Sequence, residues 1–249
     1  MKRYFACVTF CAVSAVAADA GAQTAAWGDI GYVSFNGLYQ STPISFETTS
    51  KLDVYQEKAE VRTGHRIKPG PVYDVTAGGR IKGNLGGGFA MSYRQQNAGG
   101  QISATLPHPL YFNGPTRPVS GDASLKREDL AFHLAAIWMV PVSERYQVSL
   151  FGGPTYFRVT QDMVRTVELN EVYPYDQAQY MGITASSEHA GRVGFNAGAD
   201  VAWYFTQRLG VGGLVRYSQG NVNLTSPDGT TQSVKVGGLQ TGAGLRVRF

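Results

Sequence analysis

Apolar and polar residues alternate with a period of two along much of the chain, and this pattern predicts β-strands. The clearest case is the final stretch, where Leu245, Val247 and Phe249 fall on one face while Arg246 and Arg248 fall on the other. A helix would spread the two arginines around its cylinder, and each glycine inside it would cost about 1 kcal/mol. The chain is therefore predicted to end in a two-faced strand.

The same alternation recurs in seven earlier stretches. These predicted strands are Gly31–Gln40, Val72–Lys82, Leu85–Gln96, Asp129–Val140, Tyr146–Thr160, Arg192–Phe205 and Leu209–Ser218. Short turns at 83–84, 141–145 and 206–208 alternate with longer polar segments at 41–70, 97–124, 161–190 and around 226–229. The pattern predicts an all-β fold, an eight-stranded antiparallel up-and-down transmembrane β-barrel with four long extracellular loops and short periplasmic turns.

Alternation alone does not say which face of the barrel is outside, because a soluble eight-stranded barrel has the opposite polarity. The less apolar face is rich in Gly, Ala, Ser and Asn rather than in Lys, Glu and Thr, which favours a narrow interior over a solvated exterior. Large aromatic residues lie toward the strand ends, as the interfacial girdles of a lipid-facing band require. The predicted girdle residues are Tyr93, Trp138, Tyr146, Tyr156, Trp203, Phe205 and Tyr217.

The N-terminus has the pattern of a secretory signal peptide. Lys2 and Arg3 precede an apolar run that ends at Ala20-Gly21-Ala22, which predicts a signal peptide over 1–22 and a barrel domain over 23–249. Both cysteines fall in that leader, so the exported chain is expected to have no disulfide. The 31 glycines, 14 tyrosines and 12 phenylalanines are typical of an all-β chain. A net charge of +4 without a basic run makes nucleic acid an improbable partner.

Several charged residues fall on the predicted inward face. They are Asp74, Arg80, Lys82, Arg94, Asp129, Asp200, Arg216, Arg246 and Arg248. Buried charges persist only when they are paired, and eight strands enclose a narrow lumen, so these residues are predicted to form a polar network that plugs it. The alternative is a gate or a narrow conduction path, which single-channel recordings distinguish from a plug.

Candidate chemistry in the sequence is sparse. The four histidines are scattered without metal-ligand spacing, and His133 is predicted to form hydrogen bonds in the lumen. Ser187-Glu188-His189 is the nearest approach to a nucleophile and base, but it falls in a predicted loop and its neighbouring side chains diverge. We therefore expect no enzyme activity, no cofactor and no metal. The aromatic and proline-rich segment 106–118 is either a recognition surface or a cap over the barrel mouth.

The export signal, the eight two-faced strands, the loop asymmetry and the terminal Phe249 together resemble the small OmpA-like, OmpX-like and OmpW-like outer-membrane β-barrels. The resemblance implies an integral protein of the bacterial outer membrane, in contact with its lipids. It also implies recognition by the barrel assembly machinery through Leu245, Val247 and Phe249. The function it implies is a structural or surface-interaction role, with an extracellular ligand bound by the loops. The alternative is a small transport barrel for ions or small hydrophobic molecules.

Overall fold

A computed structural model describes residues 28–249, in which ten antiparallel strands form one sheet. The predicted signal peptide and both cysteines lie outside the described residues. The strands are β1 (Gly31–Gln40), β2 (Ile44–Val54), β3 (Glu57–Ile67), β4 (Gly70–Lys82), β5 (Leu85–Leu106), β6 (Arg117–Pro141), β7 (Tyr146–Glu171), β8 (Ala178–Tyr204), β9 (Leu209–Thr225) and β10 (Thr231–Arg248).

Eight of these strands close into a ring. The order β1, β4, β5, β6, β7, β8, β9, β10 returns to β1 through the pairing of Tyr32–Gln40 with Gln240–Arg248. Closure leaves no strand edge inside this ring, which is the condition for crossing a bilayer with strands. The predicted eight-stranded up-and-down barrel is confirmed. Among the described residues, no helix is long and apolar enough to span a membrane.

The extents of the predicted long loops are wrong. The segment 41–70 forms the hairpin β2–β3, which turns at Tyr55 and Gln56 with positive φ at both residues. The segments 97–124 and 161–190 are mostly strand, because β5, β6, β7 and β8 run far beyond the ring's apolar region, leaving only 107–116 and 172–177 as connections. Proline suggested a loop at Pro118, yet this residue lies on β6 opposite Thr105.

Part-way along each long strand, the apolar residues change from the outward face to the inward face, and the polar residues change in the opposite sense. Near the short turns, β5 exposes Phe89 and Met91 and buries Ser92 and Arg94. Farther along, the same outward face carries Gln95, Asn97, Gln101, Ser103 and Thr105, and the inward face carries Ala98, Ile102, Ala104 and Leu106. The direction of the side chains does not change, so the exchange marks a change of surroundings from lipid to water.

This exchange divides the molecule into two parts. The part near the short turns has an exposed apolar belt, to which Phe35, Leu134, Leu150, Val215 and Leu245 contribute, and a polar interior. The other part, the extension, has a polar exterior and an apolar core that contains Ile67, Ile102, Leu125, Met163 and Leu224. The closed ring with its apolar belt places the protein in the bacterial outer membrane, with the extension on the extracellular side.

Candidate functional site

A continuous run of hydrogen bonds crosses the lumen at the level of the apolar belt. It begins at Asp200, whose carboxylate accepts from the Arg246 guanidinium, with one of these bonds joining Nε to Oδ1 at 3.2 Å. Arg246 also donates to the amide oxygen of Asn36, and Asn36 Nδ2 donates to Asp74 Oδ1 at 2.8 Å. Arg216 Nη1 donates to the other oxygen of Asp74 at 2.6 Å.

The run continues through neutral side chains. Arg216 Nη1 also donates to Ser92 Oγ at 3.3 Å, and that oxygen lies 2.7 Å from Nε2 of His133. Nδ1 of His133 lies 2.8 Å from Thr155 Oγ1, which accepts from Asn196 Nδ2 at 2.9 Å. Each of the eight ring strands supplies at least one member of this chain, which we call the lumen network. Its members are Asn36, Asp74, Ser92, His133, Thr155, Asn196, Asp200, Arg216 and Arg246.

The lumen network is almost entirely removed from solvent. Asp74 and Arg216 are each 2% exposed and His133 is 1% exposed. Buried charges of this kind are stable only while their partners remain, and removal of one partner costs about 3–5 kcal/mol. A small cavity beside the network, lined by Ser34, Thr76 and Tyr32, leaves about 20 Å³ for the centres of water molecules. That is room for about one or two waters.

The structure brings four of the nine predicted lumen charges together, as the pairs Arg216–Asp74 and Arg246–Asp200. The prediction of one joint network is wrong for the rim residues. Arg80 and Lys82 are exposed beside the turn between β4 and β5. Arg248 lies at the same end, where it binds Asp29 at 3.3 Å and covers the ring of Tyr204 at 4.0 Å.

Arg94 and Asp129 belong to a second polar layer, where the belt gives way to the extension. Asp129 is bound by Arg127, whose Nε lies 2.9 Å from Oδ1. Arg127 is fully buried, and Gln161 Oε1 accepts from its Nη1 at 3.5 Å. Arg94 lies opposite Asp129 in the pairing of β5 with β6 and is 2% exposed.

His133 forms the hydrogen bonds in the lumen that the sequence predicted. Sequence reasoning did not identify the other neutral members of the lumen network or Arg127. Asn36, Ser92 and Asn196 lie on the inward faces that the alternation assigns, but nothing in their residue type separates them from other small polar residues. Arg127 precedes the predicted start of its strand by two residues. Extending the alternation of Asp129 backwards would have placed Arg127 on the same inward face.

The predicted girdle residues all project from the outward face. Trp138, Tyr146, Trp203 and Phe205 lie near the short turns, and Tyr146 pairs directly with Trp203 between β7 and β8. Tyr93, Tyr156 and Tyr217 lie near the level at which the belt ends. On the terminal strand, Leu245 is 58% and Phe249 61% exposed, while Val247 is partly buried. Their role in assembly remains a prediction.

Large apolar side chains are also exposed at the far end of the extension, which we call the outer tip. They come from the β2–β3 turn, the β5–β6 loop and the β7–β8 loop. The set is Tyr55, Leu110, Tyr111, Phe112, Val172 and Tyr173, with Phe112 at 74% and Tyr173 at 76% exposure. Leu106 is the thirteenth residue after Tyr93 along β5, so the outer tip stands roughly 30 Å beyond the belt. Lipid therefore does not account for this exposure.

Polar contacts join the three tip segments to one another. Arg117, 3% exposed, forms an ion pair of 2.5 Å with Glu171 and donates to the carbonyl oxygen of Tyr175 at 2.9 Å. Tyr55 Oη donates to the same glutamate, and this hydrogen bond raises the pKa of the Tyr55 phenol. The backbone N–H of Asn113 donates to Glu57 Oε1 at 2.6 Å. The outer tip is thus one connected surface rather than three separate loops.

Solved structures of several outer-membrane proteins are similar to this chain. The outer membrane protein OprG from Pseudomonas aeruginosa has a TM-score of 0.48 at 11% identity, with 89% of this chain and 97% of that chain covered. Neisserial surface protein A has a TM-score of 0.40 at 16% identity, with 88% and 97% covered. The outer membrane protease OmpT from Escherichia coli has a TM-score of 0.45 at 9% identity, with 90% and 98% covered. No protein-family model and no curated protein matches the sequence.

The predicted loop placement of Ser187, Glu188 and His189 is wrong, since all three lie on β8. Ser187 Oγ donates to Asp162 Oδ1 at 2.6 Å, and His189 Nδ1 lies 2.9 Å from Thr160 Oγ1. The serine and the histidine therefore have different partners. Within 28–249 no three His, Cys, Asp or Glu residues are grouped to hold a metal ion.

A serine and a histidine do meet elsewhere, as the Ser92–His133 pair of the lumen network. Their side chains are 3% and 1% exposed, and the second imidazole nitrogen faces a threonine hydroxyl rather than a carboxylate. A hydrolytic triad needs a carboxylate on that nitrogen and a path for the substrate. This pair lacks the carboxylate, and its burial leaves a substrate no path.

Proposed function

We propose that the protein is an integral outer-membrane barrel whose lumen is blocked and whose outer tip binds a partner outside the cell. The observation that carries the proposal is the outer tip itself. Its apolar side chains are exposed far from lipid, and they are supplied by three segments that are bonded to one another. Exposed apolar patches of this kind mark interaction surfaces, and loops on a rigid scaffold commonly carry binding.

The lumen supports a blocked barrel rather than an open pore. The lumen network fills the cross-section inside the belt, and above it the extension has a packed apolar core. An ion that entered would have to displace Arg216 from Asp74 or Arg246 from Asp200. The cost of separating buried pairs makes this path unfavourable.

The binding role is tested with the purified barrel in lipid nanodiscs, screened against arrays of extracellular matrix proteins and glycans. A variant with Tyr111→Ser, Phe112→Ser and Tyr173→Ser is expected to lose the binding that the unchanged protein shows. A control with Gln101→Ala and Ser103→Ala changes the polar wall of the extension and is expected to bind normally. Equal binding by both variants would show that the outer tip is not the contact surface.

A second candidate function is passage of small hydrophobic molecules through the wall of the extension. It is favoured by a groove of about 550 Å³ between β2 and β10, where β2 pairs with β3 alone and the pairing of β10 with β1 ends at Gln240. Filling the groove with Ser45→Trp and Ser233→Trp would reduce uptake of such molecules if this function holds. The same change would leave binding at the outer tip intact.

A further inference from the structure

We propose that the gap between β2 and β10 binds an extended segment of a partner protein, which adds a strand to the sheet. The gap lies in the wall of the extension, on the water side of the belt. It begins beyond Leu239, which pairs with Tyr217 at the level where the belt ends. It is separate from the lumen network and from the outer tip, so its failure would leave the blocked lumen and the binding at the outer tip untouched.

The gap is an interruption in one antiparallel ladder, closed at both ends. At the lower end, the N–H of Ser41 donates to the carbonyl oxygen of Leu239 at 3.0 Å, which continues the pairing of β1 with β10. At the upper end, the N–H of Lys51 donates to Asp228 Oδ2 at 2.8 Å. Between these two contacts, among the described strands, β2 pairs with β3 alone and β10 with β9 alone.

The sequence itself keeps the gap open. Pro43 follows Ser41 by two residues, so it lies on the side of the strand that faces β10, and it has no N–H to donate. The register of Ser41 with Leu239 would place Pro43 opposite Gly237. Gly237 and Gly238 have φ of 90° and 131°, a backbone conformation that residues with a side chain rarely adopt. Both strands thus contribute a reason for the ladder to stop at this point.

Two free strand edges therefore face each other, along 44–50 of β2 and 231–236 of β10. Backbone groups of alternate residues point to the same side of a strand, and the contacts of Lys51 and Leu239 show which residues point into the gap. These residues are Ser45, Glu47, Thr49, Thr231, Ser233 and Lys235. Rows of unpaired N–H and C=O groups are a template for a further strand.

The groove between the two edges has a volume of about 550 Å³ and an apolar floor. Ile44, Val234 and Val236 are buried members of the core of the extension, and Phe46 packs against that core. A strand along 44–50 is about 23 Å long, which corresponds to about six or seven residues. The partner segment is therefore short and extended, with apolar side chains toward the floor alternating with polar side chains toward water.

A hexapeptide with the sequence of residues 231–236 has this pattern and is the probe for the site. It lacks Gly237 and Gly238, so it is free to pair antiparallel with β2 in the register that β10 does not complete. In that register, the lysine of the peptide lies opposite Ser45 and diagonal to the exposed Glu47, which is a favourable charge pair. Because β2 and β10 run in opposite directions, the peptide lies parallel to β10.

The first test measures binding of the fluorescent hexapeptide to the purified barrel in lipid nanodiscs. The double variant Ser45→Pro and Thr49→Pro removes two N–H groups that face the gap and none that bonds β3, so binding should weaken about tenfold or more. The matched control, Ser45→Ala and Thr49→Ala, keeps both N–H groups and should bind as the unchanged protein does. No binding by the unchanged protein, or equal binding by the proline variant, would overturn the proposal.

The second test needs no variant and measures amide exchange along β2 by nuclear magnetic resonance. The amides of Ser45, Glu47 and Thr49 are expected to exchange rapidly in the free protein and slowly with the peptide bound. The amides of Thr48 and Ser50, which face β3, should exchange slowly in both states. Slow exchange of the first set without peptide would mean that the gap closes on itself, and unchanged rapid exchange with peptide would mean that no strand is added. Either result would overturn the proposal.

Discussion

Asp74 is the residue on which the lumen network depends most, since three side chains donate to its carboxylate. Asn36 and Thr76 bind one oxygen at 2.8 and 3.0 Å, and Arg216 binds the other at 2.6 Å. Bulk solvent does not reach these bonds, because Asp74 and Arg216 are both 2% exposed. The stability of the barrel at this level is therefore set by the carboxylate.

Replacing this carboxylate by an amide, Asp74→Asn, is expected to lower the free energy of unfolding by about 3–5 kcal/mol, because Arg216 stays buried without its counter-charge. The measurement is urea unfolding of the barrel in lipid vesicles. The matched control is Asp53→Asn, which breaks an ion pair with Lys58 in which both side chains are mostly exposed. That change should cost less than about 1 kcal/mol. Equal costs would show that the buried pair is not special.

His65, in the extension, gives the protein a dependence on pH. Burial, with a smaller contribution from the Arg127 charge, lowers the pKa of His65 from 6.5 to about 4. The unfolded chain therefore binds a proton more readily than the folded chain between these two values. Stability is complete above pH 6.5 and falls as the pH drops toward 4.

The expected result is faster amide exchange or proteolysis of β2 and β3 at pH 4.5 than at pH 7.5, because His65 packs on Phe46 across this hairpin with ring centroids 4.4 Å apart. The variant His65→Phe should lose most of this dependence. His189→Phe, at an exposed position of β8, should retain it. An unchanged pH response in His65→Phe would assign the effect to other groups.

At the residue scale, the alternation in the sequence was enough to place Asp74, Asp200, Arg216 and Arg246 inside the lumen. It could not say which of them pair, because the partners lie on strands far apart in sequence, as Asn36 and Arg246 do. Arg80, Lys82 and Arg248 share the inward parity but lie at the end of the ring. The period of the alternation indicates the face on which a residue lies, but not its distance from the end of the barrel.

At the scale of the strand, the main lesson is the exchange of chemistry between the two faces. In β5 the apolar set moves from the outward to the inward face after Tyr93, while side-chain direction stays constant. The sequence 97–106 does alternate, but its polarity is the opposite of that expected for a lipid-facing strand. This reversed polarity and the four prolines of the following segment are the reasons why the sequence predicted a loop where the chain forms a strand.

Closure of the ring depends on a close approach between β1 and β10. A Cβ added at Gly244 would overlap the carbonyl oxygen of Phe35 and lie 2.7 Å from the Asn36 backbone. We expect Gly244→Ala to separate these two strands and to lower the temperature at which the heat-modifiable band on gels converts to the unfolded form. Gly37→Ala, on the partner strand with nothing within 4 Å, should convert at the unchanged temperature. Equal behaviour of the two variants would argue against tight β1–β10 pairing.

At the scale of the whole molecule, the protein is one cylinder that lies in lipid along the belt and in water along the extension. The ring that crosses the membrane has a polar filling, and the extension that continues from it has an apolar filling. The polar network and the apolar core both lie in the interior of the barrel. The outer tip is the part that faces the exterior of the cell. The stability of the fold comes from the polar network and the apolar core, while the proposed binding depends on the outer tip.

The protein is expected to show no stable conductance steps in planar bilayers, because the proposed plug, made by the lumen network and the core of the extension, would block the passage of ions. The double change Asp74→Ser and Arg216→Ser removes volume and both charges from the network, yet it should also show no openings, because the apolar core of the extension still blocks the interior. Stable, ion-selective openings of the unchanged protein would contradict a blocked lumen and favour a narrow pore.

The most direct test of the account is a lipid-contact scan along β5, with single cysteines that carry a fluorophore in vesicles of brominated lipid. Strong quenching is predicted for Met91→Cys, which faces outward in the belt, and none for Ala90→Cys, which faces the lumen. None is predicted for Ser103→Cys, which faces outward in the extension. Quenching at Ser103, or its absence at Met91, would contradict a barrel that exchanges lipid for water part-way along its strands.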